Sequence, residues 1–256
     1  MQTPQNPYSN PSGFNQPPSM PGALPPRGQE ISFDAIGQAW KVLQPNLGTW
    51  IGAALIYGII TILLQVLQGV MIPKNANGAP QIGLTYWILV FIGFVVGQFI
   101  IGGMMRMAIN NVRTGRAELG QMFSTTDVLP SLLGAGILTT LLSGIGYLLC
   151  IVPGLLLSGL FMFVMPLIVD KRQGAIEAIG NSFNALKPQM WMALLFVIVI
   201  GLVAGAGALA CGVGLLVTAP LALIAIAITY NNLLGGGQNA AQPPMPPSAP
   251  IANPFN

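Results

Sequence analysis

The sequence contains no histidine and little charge: nine Lys and Arg and six Asp and Glu make up 6% of 256 residues. Without histidine, a Ser-His-Asp triad and the common imidazole metal sites are excluded. Two cysteines are too few for a thiolate zinc centre. The six acids (Glu30, Asp34, Glu118, Asp127, Asp170 and Glu177) lie outside the long apolar runs, and none is paired for acid–base work. No glycine loop of the phosphate-binding kind follows a strand pattern. The basic residues are spread thinly, which argues against a nucleic-acid partner. The chain is therefore expected to be non-enzymatic, with no catalytic residue, cofactor or metal. A soluble domain carries roughly 25% charged residues, so this composition also excludes a soluble class.

What is present is apolar. Hydrophobic residues make up 53% of the chain and the mean hydropathy is +0.71. Leu47–Ile72, Asn75–Met105 and Val128–Val169 carry no charge, and no charged residue follows Lys187. About 18 apolar residues suffice to cross a bilayer as a helix. Val128–Val169, as one helix, would run to about 63 Å, twice the thickness of the hydrocarbon core. It must fold back once, and Val152-Pro153-Gly154 offers the turn. Spans are expected near 49–72, 84–109, 131–152, 154–170, 190–210 and 212–232, with kinks at Pro166 and Pro220.

These spans place Arg27, Lys41, Arg106, Arg113, Arg116, Lys171, Arg172 and Lys187 on one side and Lys74 alone on the other. Basic residues collect on the cytoplasmic side, so a multi-pass protein of the bacterial inner membrane with both termini cytoplasmic is expected. Residues 1–29 lack the apolar core of a cleavable signal peptide. That segment and 235–256 are rich in Pro, Asn and Gln and read as disordered, extended tails flanking a membrane domain over 30–234.

The membrane domain repeats itself. FDAIGQAWKVLQP at Phe33–Pro45 returns 143 positions later as IEAIGNSFNALKP at Ile176–Pro188, and a fainter copy, AELGQMF, lies at Ala117–Phe123. Each precedes a long apolar run, giving three units near 31–109, 114–170 and 174–232. Phe33, Ile36, Trp40 and Leu43 fall on one helical face, as do Ile176, Ile179, Phe183 and Leu186. Such helices lie in the membrane interface, apolar side toward lipid or bundle. Pro45 and Pro188 end them, and Trp50 and Trp191 are expected at headgroup level. The repeated Gly37 and Gly180 suggest close helix contact, since glycine within a helix costs up to about 1 kcal/mol. The fold class is all-α: a polytopic bundle of about six transmembrane helices, in three repeats of interfacial helix plus helical hairpin.

Inside the spans a few residues stand out. Gly48/Gly52, Gly93/Gly97 and Gly201/Gly205 have the four-residue spacing of close helix packing, read first as internal and second as a dimer face. Gln65, Gln68 and Gln98 are amides that need partners in lipid, either interhelical hydrogen bonds or a polar path for a small solute. Cys150 and Cys211 fall at matching places in the second and third units, where either a disulfide or two small apolar thiols fits. Arg106 is read as snorkelling from the end of the second span to the interface.

Ile151–Trp191 resembles a family of bacterial six-helix membrane proteins similar to the membrane domain of some glycerophosphodiester phosphodiesterases. The resemblance rests on Val152-Pro153-Gly154, Pro166–Asp170, Ala178–Phe183, Lys187 and Trp191. It implies a membrane module without a catalytic role, since the phosphodiesterase domain has no counterpart here. The leading expectation is a membrane scaffold or accessory subunit that organises lipid, a membrane protein partner or a second copy of itself. The alternative is a small-solute or lipid transporter using the polar positions of the first two spans.

Overall fold

The computed structural model describes residues 30–75, 78, 80–209 and 214–235. About 85% of these are helical and none forms a strand. The helices are α1 (Asp34–Leu43), α2 (Leu47–Met71), α3 (Leu84–Thr114), α4 (Leu129–Leu149), α5 (Ile151–Leu160), α6 (Val164–Lys171), α7 (Ala175–Leu186), α8 (Met190–Leu209) and α9 (Leu215–Leu233). Six helical stretches are long and apolar enough to span a membrane, so the chain is a multi-pass membrane protein. Both Pro-rich tails, Gly235 apart, lie outside the described residues.

The first and last copies share their secondary structure from the end of the leading helix onward, although α7 begins two residues earlier than α1. α1, a 3-10 turn at Gln44–Asn46 and the start of α2 at Leu47 recur, 143 residues on, as α7, a 3-10 turn at Lys187–Gln189 and the start of α8 at Met190. Proline at the second position of each 3-10 turn lacks the N–H that would continue the α-helix. The middle copy differs. Instead of an α-helix it forms two 3-10 turns, Leu119–Phe123 and Thr126–Val128. At seven residues before polar Ser124-Thr125-Thr126, its apolar stretch is too short to sustain an α-helix.

The leading segment of each unit docks on the hairpin of the unit before it. The Leu119–Phe123 turn packs on α3 and α2, α7 packs on α6 and α4, and α1 closes the circle against α9. The spans follow the same order, α4 meeting α3, α8 meeting α5 and α2 meeting α9. The second spans α3, α5–α6 and α9 therefore form an inner triad, 33%, 50% and 39% buried over their apolar windows. The outer spans, containing α2, α4 and α8, are 17%, 17% and 22% buried.

Burial is also lopsided along the bundle. The buried side chains of α2 are Trp50, Ala53 and Ala54, while those of α3 cluster at Ile100–Val112. Leu132 and Ala135 on α4, Val164–Val169 on α6, Ala193–Phe196 on α8 and Ile224–Tyr230 on α9 lie at the same level. All belong to the end that carries Arg106, Arg113, Lys171 and Arg172, called the basic end below. Toward the far end, exposed apolar residues such as Ile62, Val70, Trp87, Leu148, Leu202 and Leu209 dominate. Apolar surface is satisfied by lipid as well as by protein, so only the basic end needs a core to hold the helices together.

Several sequence expectations shift. The protein-facing stripe of α1 is Ala35, Ala39 and Leu43, and that of α7 is Ala178, Ser182 and Leu186. Phe33 and Trp40 are exposed and Ile176 is 79% exposed, whereas Ile36, Ile179 and Phe183 stand at the edge of the core. Leu43 and Leu186 keep the inward place expected of them, while Ala35, Ala39, Ala178 and Ser182 replace the bulkier residues along the rest of the stripe because small side chains let each helix approach its neighbour closely. A Cβ added at Gly37, Gly180, Gly48, Gly97, Gly201 or Gly205 would meet nothing within 4 Å, so among the spaced glycines only Gly52, against Leu119, and Gly93, against Gln68, face a neighbour. Close contact falls instead on Gly103, where an added Cβ would stand 1.9 Å from the Met122 carbonyl oxygen. Trp50 is buried in the core; Trp191, 61% exposed, keeps the position expected of an interfacial ring.

The α4–α5 reversal is a one-residue break at extended Cys150 (φ −171°, ψ 156°), with Val152-Pro153-Gly154 inside the first turn of α5. It is tight because Gly146 meets the Gly154 backbone across the hairpin. The fourth span breaks at Phe161–Phe163, just ahead of Pro166, which has no N–H for the Met162 carbonyl. Met162 N–H and Val164 N–H bond three residues back instead, to Gly159 and Phe161. α9 stays continuous through Pro220.

Candidate functional site

Charged and polar groups from all three inner helices meet at the basic end. Arg113, in the last turn of α3, donates through Nη1 and Nη2 to the two carboxylate oxygens of Asp170 on α6, at 2.6 and 2.8 Å. Tyr230 on α9 donates its hydroxyl to Asp170 Oδ2 at 2.7 Å, and Arg113 Nε donates to Asn231 Oδ1 at 3.3 Å. The Tyr230 ring is itself held edge-on by Phe163, 5.8 Å between centroids. Local structure sets this up: Gly115, at φ 74°, ends α3 just beyond Arg113, and Arg172, at φ 53°, ends α6 just beyond Asp170. A bidentate guanidinium–carboxylate pair is directional as well as strong, so it fixes how the two helix ends are rotated.

A second network lies beside it. Arg106 donates to both Asp127 oxygens, at 3.2 and 3.3 Å, to the Val169 carbonyl at 3.3 Å and to the Ser124 carbonyl. Arg172 reaches Asp127 from the other side at 3.3 Å. Asp127 sits in the turn ahead of the α4 span. Burial opposes its charge, but the Arg106 hydrogen bond and the two guanidiniums prevail and hold the carboxyl below its ordinary range. Arg106 therefore does not snorkel freely; it ties α3 to the segment before α4 and to α6. Asn46 has a similar role, donating to Asn111 Oδ1 and the Gly115 carbonyl and accepting from Ala117 N–H.

Between these networks lies a cleft of about 530 Å³ bounded by Arg106, Asn110, Arg113, Thr114, Asp170 and Arg172. All three of its arginines pair with carboxylates, Arg172 through a side chain that stays 75% exposed. The chemistry available is ion pairing at a positive rim.

The three glutamines part company. Gln65 and Gln68 line a cleft of about 140 Å³ between α2 and α3, with Gln68 Nε2 donating to the Leu89 carbonyl at 3.4 Å. Gln98 faces the other way, toward α4, where an added Cβ on Gly136 would lie 2.7 Å from its amide nitrogen. It lines a groove of about 490 Å³ with Thr139, Thr140, Ser143, Tyr147 and Ser158. A single path through all three glutamines is therefore not present. Thr139, Ser143 and Tyr147 are spaced by four along α4, a polar stripe in an apolar helix. The spacing itself is visible in the sequence.

Cys150 is exposed at the α4–α5 junction. Cys211, its candidate partner, lies outside the described residues.

No family model matches the chain, and no solved structure matches it. Two uncharacterised proteins, one of Mycobacterium bovis and one of Mycobacterium tuberculosis, are each 24% identical to it over 257 residues. The match covers 90% of this chain and 77% of each relative. The likeness thus extends over the membrane domain rather than a single span, to proteins whose names state no activity.

Proposed function

We propose that this multi-pass protein is a non-enzymatic scaffold or accessory subunit of the bacterial inner membrane, with the basic end and both tails in the cytoplasm. The observation that carries this reading is the lopsided core. The basic end is tied by the Arg113–Asp170–Tyr230 and Arg106–Asp127–Arg172 networks, while the far halves of α2, α4 and α8 present uncovered apolar faces. Such a body keeps its shape from one end and offers the rest of its surface to lipids, a membrane protein partner or another copy. The resemblance of Ile151–Trp191 to the membrane domain of glycerophosphodiester phosphodiesterases agrees with a module that does no chemistry itself. The positive-inside rule supports the orientation.

Purification of the tagged full chain in mild detergent tests the proposal. A stoichiometric membrane protein or a self-assembled oligomer is expected. The rival transporter reading draws support from the polar groove around Gln98. Solute flux into proteoliposomes that disappears in Gln98→Leu would sink the scaffold reading.

A further inference from the structure

We infer that the groove between α3, α4 and α5–α6 binds the uncharged head of an amphiphile, of the diacylglycerol class, with its acyl chains in the bilayer. The groove lies at membrane depth. Gln98 is eight residues before Arg106, about 12 Å along α3, and Thr139 is about 15 Å into α4 from its basic end. Its lining is mixed: apolar Leu132, Phe161, Val164 and Ile168 accompany the hydroxyls of Thr139, Thr140, Ser143, Tyr147 and Ser158.

The hydrogen-bond pattern narrows the occupant. Thr139 donates back to the Ala135 carbonyl, Ser158 to the Gly154 carbonyl, and Tyr147 Oη pairs with Ser158 Oγ. Gln98, Thr140 and Ser143 make no side-chain hydrogen bond among the described residues. An amide left unpaired at that depth is costly, so a ligand that both donates and accepts fits it. None of the lining residues is charged, and a charged headgroup would lose its hydration there with no counter-ion. The volume, about 490 Å³, falls within the range of small-molecule sites. Thr140, Gly144 and Tyr147 are exposed alongside Ile137, Leu141 and Ile145, so the groove opens sideways to the acyl chains. A hydroxyl-and-ester head with two chains has this shape and polarity.

The inference rests on these helices spanning a membrane, as in the proposed function, but not on the scaffold role. The test uses the full chain in phosphatidylcholine vesicles with trace photoactivatable diacylglycerol or, in parallel, phosphatidylglycerol carrying the same chain. Diacylglycerol adducts are expected on peptides from 132–147 and 158–168. Gln98→Leu and Ser143→Leu should each lower them about fivefold, the factor one hydrogen bond represents, and Gln68→Leu should not. Co-elution of each variant with wild type on sizing establishes that it is folded. Equal labelling by the two lipids, adducts spread evenly over the six spans, or variants that label like wild type overturn the inference. So does protection of the same peptides that appears only when the protein is dimeric. A failure of vesicle insertion in the wild type would instead count against the membrane reading itself.

Discussion

Arg113 on α3 and Asp170 on α6 form a two-pronged ion pair, 2.6 and 2.8 Å, at the point where the inner helices of all three units converge. Tyr230 from α9 completes it. Removing one partner strands the other. Arg113→Met should lower unfolding stability in detergent by about 2 kcal/mol, a value reduced from that of a fully buried pair because both side chains remain partly exposed. Arg113→Met with Asp170→Asn should recover part of the loss. Tyr230→Phe, which keeps the ring on Phe163, should cost about 1–2 kcal/mol. Additive losses in the double variant would mean that the pair does not act as a unit.

The glycines separate into two groups that thermal melts can tell apart. Gly103→Ala drives a Cβ into the Met122 backbone and should destabilise by about 1–3 kcal/mol. Gly37→Ala and Gly180→Ala meet open space; with the better helix propensity of alanine they should be neutral or stabilising by up to about 1 kcal/mol each. Loss of stability in both repeat variants would reinstate the contact that the sequence suggested.

The inward stripe of the repeated helix is tested by size rather than polarity. Ala39→Leu should overpack the contact of α1 with α9 and Ser182→Leu that of α7 with the end of α5, each costing about 1–3 kcal/mol. Ser182→Leu also removes the 2.6 Å bond to the Leu160 carbonyl. Trp40→Ala and Ile176→Ala, on the exposed face, should stay within about 0.5 kcal/mol of wild type. The reverse ranking in a melting series would return the core-facing role to the bulky residues.

Topology is open to a labelling experiment at Cys150, which lies exposed at the far end of the bundle. In Cys211→Ala protein, an impermeant maleimide added to intact cells should modify Cys150. Modification only after permeabilisation would invert the proposed orientation. In the unsubstituted protein, labelling without reductant excludes a bridge to Cys211.

Much of the architecture was legible because bilayer physics is written in composition. Charge-free runs longer than the hydrocarbon thickness must cross it, and proline at 45 and 188 stops a helix wherever it sits. The 143-residue offset recurs in the two 3-10 turns and in the first residues of α2 and α8. The candidate sites were less legible. Gln98 looked like a partner of Gln65 and Gln68 because side-chain direction on α3 depends on which neighbours α3 has. Arg106 looked free because Asp127, 21 residues on, reaches it only through a 3-10 turn that replaces the expected helix.

By itself the sequence determined the all-helical class and the number of spans, because each follows from local propensity and from the cost of leaving backbone groups unpaired in lipid. Only the tertiary structure decided that each unit's leading segment docks on the preceding hairpin. It also decided that α3, α5–α6 and α9 form the inner triad, and that Ala35, Ala39, Ala178 and Ser182 rather than Phe33, Trp40 and Ile176 join Leu43 and Leu186 against the protein. In a bilayer both kinds of residue are apolar and hydropathy cannot rank them. What chooses between them is how closely two helices can approach.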